Sequence, residues 1–151
     1  MPVAIRNIEQ KDFPALWKMD WSPLIKERDS IYLIIAVDQS PVSFVAYDEE
    51  SPEDWMGVLL ATRSADCKSC YINHLLVMQE ARGKGVGSSL VRKLIEEGRR
   101  LGIEKIWFFT REDNRKFYEG LGFKEDYSIF DGVIDRYVRD VKHMLAMWRV
   151  I

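Results

Sequence analysis

Arg82-Gly83-Lys84-Gly85-Val86-Gly87-Ser88 is the stretch that decides how this chain reads. Three glycines alternate with a basic and an apolar residue, and a helical pattern follows at once. Glycines lack Cβ, so backbone N–H groups can turn inward and approach a diphosphate closely. A helix from about Val86 adds the partial positive charge of its N-terminus. Arg82 and Lys84 place full charges at the rim. Two common phosphate patterns fail. G-x-G-x-x-G begun at Gly83 meets Ser88 where its third glycine belongs, and begun at Gly85 it meets Leu90. The P-loop begun at Gly83 asks for glycine at Ser88 and lysine at Ser89. What remains is R-x-x-G-x-G, formed by Arg82, Gly85 and Gly87.

Downstream, Leu90, Val91, Leu94, Ile95 and Leu101 share one helical face, and Gly102 fits the C-cap. Ile103 to Thr110 reads as a central strand. Asp113 or Asn114 caps a short helix through Leu121, closed by Gly122, and Phe123 opens another strand. Asp131 to Asp140 reads as loop or short helix, and Lys142 to Val150 as a last strand. Upstream, Val42–Tyr47, Trp55–Arg63 and Tyr71–Val77 form an antiparallel meander. Asp48 to Asp54 reads as an acidic loop, and Ser64 to Ser69 as a hairpin turn. Val3 to Ile8 is the first strand. Asp12 caps a helix opened by Phe13-Pro14, and Pro23 interrupts or follows that helix. Ile31 to Val37 is strand-like in composition, yet Asp29 or Ser30 could cap a short helix there; so short an apolar run leaves both open.

The chain has 151 residues, 47% hydrophobic and 30% charged, with net charge −2, so the expectation is one domain, 1–151, with a real core. There is no basic excess to suit nucleic acid or an anionic membrane. No apolar run is long enough to span a bilayer, and the N-terminus lacks the pattern of a signal peptide, so a cytoplasmic address is expected. Cys67 and Cys70 are spaced C-x-x-C, but only His74 and His143 could complete a metal set, and the pair precedes a strand rather than a helix. A structural role is expected for them, with no metal.

The R-x-x-G-x-G loop, the strand Tyr71–Val77 ending five residues before Arg82, and Tyr118-x-x-x-Gly122-Phe123 together resemble the GNAT superfamily of N-acetyltransferases. The resemblance covers roughly Val42 to Phe123. It is strongest to small prokaryotic members of uncharacterised substrate, through Arg28-Asp29-Ser30 and the Tyr-x-x-His strand. It implies a mixed α/β (α+β) fold, with a mostly antiparallel central sheet flanked by helices, and a helix over 30–39. It implies acetyl-CoA as co-substrate and acetyl transfer to a primary amine by direct attack in a ternary complex. The alternative is a GNAT-fold module that binds CoA or an acyl-CoA without catalysis.

The resemblance assigns the diphosphate to Arg82, Gly83, Lys84, Gly85, Val86, Gly87 and Ser88, and the pantetheine arm to Leu75, Leu76 and Val77. The backbone N–H near Val77 serves the oxyanion. Tyr118 is the expected general acid, a phenol near pKa 10 facing a thiol near 8.5. At the two positions where relatives commonly carry a glutamate or histidine base, this chain has Tyr71 and Asn73, which could order a water that carries the proton away. His74 is a further candidate base, although strict strand alternation turns it to the other face unless a bulge intervenes. Asn114 stands closer to Tyr118 than the family's CoA-contacting asparagine does, so it is either a cofactor contact or a helix cap. The acceptor is a small-molecule or protein amine. Five tryptophans and the acidic residues near the cleft suit a cationic or aromatic amine. A sheet edge and apolar tail favour a homodimer.

Overall fold

The computed structural model describes residues 2–21, 30–128 and 132–151. The expectations at Pro23 and Arg28-Asp29 lie outside them, as does part of the segment after Ser128. Seven strands form one sheet: β1 (Val3–Asn7), β2 (Phe44–Asp48), β3 (Ser51–Arg63), β4 (Ser69–Val77), β5 (Lys105–Thr110), β6 (Lys124–Glu125) and β7 (Leu145–Val150). Their order is β1-β2-β3-β4-β5-β7-β6. Every pairing is antiparallel except β4 with β5. The helices are α1 (Phe13–Lys18), α2 (Ser30–Asp38), α3 (Val86–Arg100), α4 (Arg115–Glu119) and α5 (Val133–Asp140). The expected mixed, mostly antiparallel sheet flanked by helices is what forms.

Strand alternation divides the core between two faces. Phe44, Ala46, Leu59, Ala61, Cys70, Ile72, Ile106 and Phe108 point to the side covered by α3, where Val86, Leu90, Val91, Leu94 and Ile95 are buried. Burying one such leucine contributes about 1.5–3 kcal/mol. Val45, Val58, Leu60 and Leu76 point to the other side, against Leu16, Trp21, Leu33 and Ala36. The Trp21 indole N–H is satisfied there by the Leu16 carbonyl at 2.9 Å.

Open local readings are settled and two others change. Ser30–Asp38 is a helix, the form the family resemblance implies. Leu33 and Ala36, one helical turn apart, fill the groove over β3, while Ile34 is 54% exposed. Packing along that stripe outweighs the β-propensity of the run. The expected loop Asp48–Asp54 is instead a tight hairpin, because β3 begins at Ser51 and Ser51 pairs with Asp48. Asp12 makes no side-chain cap bond to α1. Its carboxylate receives both Arg6 guanidinium nitrogens, at 2.7 and 2.9 Å, and the Glu9 N–H at 2.8 Å. That arrangement holds it below the usual carboxylate range. Of the two readings for 131–140, helix prevails from Val133.

Candidate active site

The site is built where β4 and β5 part. Their parallel ladder joins Ser69, Cys70 and Tyr71 to Lys105, Ile106 and Trp107, and ends there. Beyond it β4 continues to Val77, still paired with β3. An edge of the strand is thus presented inside the sheet, and an extended chain can add to such an edge.

The glycine loop follows directly. Gly83 and Gly85 take φ of 75° and 79°, the left-handed region that favours glycine. Gly85 is the N-cap of α3. The first N–H groups of a helix have no intrahelical acceptor, so those at the start of α3 are available to an anion. Gly87 serves differently. It lies inside the helix, and a Cβ there would come within 3.3 Å of Phe117 Cζ and 3.5 Å of Val77 Cγ2. Its role is to let the α4 ring close over the groove. Arg82 donates from Nε to the Val77 carbonyl at 3.2 Å, tying the loop to the strand end.

A cavity of about 620 Å³ runs along this loop, lined by Leu75, Leu76, Val77, Ala81, Arg82, Gly83, Gly85, Val86, Gly87, Ser88, Asn114, Phe117 and Tyr118. Every expected cofactor residue lines it except Lys84, which is exposed beside it. The groove therefore fits a diphosphate on the loop and an extended arm along β4. Ala81 and Phe117 also line it but were not legible as site residues. Phe117 carried a signal in its position beside Tyr118, and reads as core from sequence alone.

Asn114 makes no capping bond to α4. It donates from Nδ2 to Thr110 Oγ1 at 3.0 Å and faces the cavity, so the reading of it as only a cap is corrected. The Tyr118 ring is buried against Phe108 and Phe117, with centroids 4.2 and 4.9 Å away. Burial pushes its phenol up to about 12.

A second cavity of about 310 Å³ fills the cleft between the diverging strands. Tyr71, Asn73 and His74 line it, together with Phe109, Arg111 and Met144. Leu75, Asn114 and Tyr118 are shared by both cavities and form the wall at which they meet.

β4 carries a bulge beside His74. Leu60 pairs with His74 but Ala61 pairs with Ile72, so Asn73 is an extra residue in β4. A bulge reverses the side-chain phase. The bulge therefore breaks the alternation between Ile72, which packs on the α3 side, and His74, which shares the face of Leu76 two residues on, its ring centroid 5.7 Å from that of Trp21. Burial lowers its pKa, so the imidazole is neutral near pH 7. Thr62 Oγ1 lies 2.7 Å from Asn73 Oδ1 and donates to it, fixing the amide beside His74.

Other expected features fall elsewhere. Asp48, Glu53 and Asp54 line a separate cavity with Trp55 and Glu80. No carboxylate lines the cleft among the described residues. Cys70 is buried, its thiol pushed up to about 12, and Cys67 is exposed in a left-handed turn. Neither is poised for redox chemistry. No helix is long and apolar enough to cross a membrane among the described residues.

Comparisons with known proteins agree with this geometry. The model of the acetyltransferase (GNAT) family matches residues 3–123. An uncharacterised N-acetyltransferase of Methanocaldococcus jannaschii is 28% identical over 114 residues, covering 74% of this chain and 46% of that protein. The chain thus spans about half the length of that curated relative. Ard1 from Thermoplasma volcanium superposes with a TM-score of 0.76 at 17% identity, over 100% of this chain and 99% of that one. Naa50 of Arabidopsis thaliana, in complex with the bisubstrate analogue CoA-Ac-MVNAL, gives 0.76 at 17% identity over 100% of both chains. At these identities the superpositions establish a shared fold. The family match spans the glycine loop, the parted strands and the Tyr118–Phe123 segment, and the chain belongs to the acetyltransferase (GNAT) family.

Proposed function

We propose that this protein is an acetyl-CoA-dependent N-acetyltransferase acting on a primary amine by direct attack in a ternary complex. The observation that carries the reading is the meeting of two cavities across one wall, at Leu75, Asn114 and Tyr118. One cavity has the phosphate loop at its end. The other has neutral polar groups, an imidazole and the Arg111 side chain. Such an arrangement suits two substrates that approach from opposite faces of the sheet.

When bound, acetyl-CoA supplies an activated acyl group as a thioester. The chain's own residues do the rest. The main-chain N–H groups of β4 past the ladder's end hold the arm and stabilise the developing oxyanion. Arg82, Lys84 and the start of α3 hold the diphosphate.

The amine must shed a proton. His74, neutral and partly buried, is the proposed acceptor, directly or through a water held by Tyr71 and Asn73. Attack forms the N–C bond and makes the nitrogen cationic and acidic, which suits a weak base. Collapse breaks the C–S bond and releases the thiolate. Tyr118 lines both cavities where they meet. With its pKa near 12, complete transfer to a thiolate of pKa about 8.5 would be uphill by about 5 kcal/mol. The proposed role is therefore a hydrogen bond that stabilises the thiolate, which takes up its proton as the product leaves.

Thiol release tests this. The protein is mixed with acetyl-CoA and a panel of primary amines, and free thiol is measured alongside the intact mass of the products. Thiol release matched by an acetylated amine is expected. Tight acetyl-CoA binding with no amine-dependent release would instead make the protein a CoA-binding module.

A further inference from the structure

We propose that Arg63 forms an anion subsite at the far end of the acceptor cleft, and that the preferred acceptor is an amine carrying a carboxylate. The inference rests on the acetyl-transfer reading, because it names the substrate of that same site. Tyr71 and Asn73, which line the acceptor cleft, also line an adjoining cavity of about 360 Å³. Arg63, the last residue of β3, borders that cavity with Trp107.

Arg63 is half-buried and held in place by a neutral partner. Its Nε donates to Gln39 Oε1 at 2.9 Å, and its backbone N–H reaches the same oxygen at 3.3 Å. Among the described residues no carboxylate lies within ion-pair distance of it. Arg6, Arg100, Arg111, Arg115 and Arg139 each have one. No aspartate or glutamate lines either cavity among the described residues. Gln39 orients the guanidinium and leaves its charge unmatched. The terminal nitrogens of such a fork bind a carboxylate with two parallel hydrogen bonds. A cationic acceptor would meet no counter-charge on this path.

The path also limits length. Arg63 pairs with Cys70, three residues from Asn73. At about 3.3 Å per residue, the amine and anion ends lie on the order of 10 Å apart. The Tyr71 and Trp107 rings, 4.6 Å apart, offer an apolar wall to the linking methylenes. An ω-amino acid fits this span, and an α-amino acid is too short for it.

The test compares 6-aminohexanoate, hexylamine, 1,6-diaminohexane and 6-aminohexyl phosphate as acceptors at saturating acetyl-CoA. The expected kcat/KM for 6-aminohexanoate exceeds that of hexylamine by about tenfold or more, the scale set by one bidentate charged contact. Arg63→Met brings that ratio near one through KM, and Arg63→Lys restores part of it. Equal or better turnover of hexylamine, the diamine or the phosphate overturns the proposal. So does an Arg63→Met variant that lowers all amines in equal proportion. If the wild type releases thiol with none of them, the transfer reading fails and the subsite is tested alone. Calorimetry of 6-acetamidohexanoate with the CoA-saturated protein then decides. Binding weakened about tenfold by Arg63→Met supports the subsite. No binding to the wild type, or equal binding to the variant, overturns it.

Discussion

Tyr118 and His74 are the two residues whose environments set their chemistry, and burial moves them in opposite directions. The Tyr118 phenol is pushed up to about 12, so it remains a donor throughout the neutral range. Tyr118→Phe keeps the ring against Phe108 and Phe117 and removes only the hydroxyl. Turnover is expected to fall by about 10- to 100-fold, with the acetyl-CoA dissociation constant changed little. Steady-state kinetics beside calorimetric titration separates the two effects. His74 titrates near 6.5 when unfolded and lower when folded. Above that unfolded value both states hold it neutral, and its contribution to stability is fully present. As pH falls below about 6.5 the unfolded state takes up the proton first, and stability is lost until the folded pKa is passed. Urea unfolding at about pH 7.5 and about pH 5 should therefore show a smaller loss for His74→Gln than for the wild type. Tyr118 was legible from its spacing to Gly122 and Phe123. The break in phase between Ile72 and His74 was not, because the bulge at Asn73 is a matter of register between β3 and β4.

At the scale of elements, glycines mark where backbone or rings come close. The loop was legible because left-handed conformations at Gly83 and Gly85 leave glycine as the residue of choice. Gly57 in β3 gave no such signal, since it is an isolated glycine in a strand. A Cβ there would sit 2.8 Å from the Leu76 carbonyl oxygen and 3.3 Å from Val86 Cγ1. Backbone must move to admit it, so Gly57→Ala is expected to destabilise by about 1–3 kcal/mol in denaturant titration. Gly87→Ala presses instead on Phe117 and Val77 at the groove beside the glycine loop. Its larger effect is expected on acetyl-CoA affinity, measured by calorimetry. Helix α2 shows the limit of composition. Its β-branched run becomes helical because Leu33 and Ala36 find a groove over Leu60 and Trp21, and that groove exists only once the sheet has formed.

At the scale of the molecule, function follows from one parallel pairing in an otherwise antiparallel sheet. The parting of β4 and β5 after Tyr71 and Trp107 opens the way between the faces. The meander, the helix after the loop and the final strand were all readable from periodicity and turn residues. The cleft was not, since it depends on where a ladder stops rather than on any residue type. Ligand linkage gives a further expectation. Acetyl-CoA at a hundred times its dissociation constant should stabilise the fold by about 2.7 kcal/mol and raise the melting temperature by roughly 5–10 °C. An unchanged melting temperature would count against the groove as a cofactor site. The most direct test of the central claim is a crystal structure with acetyl-CoA bound. The account predicts the diphosphate on the Arg82–Ser88 loop and the arm along Leu75–Val77. The thioester should lie at the wall formed by Leu75, Asn114 and Tyr118, its carbonyl open to the cleft that holds Asn73 and His74. A thioester bound away from that wall, or sealed from that cleft, would contradict it.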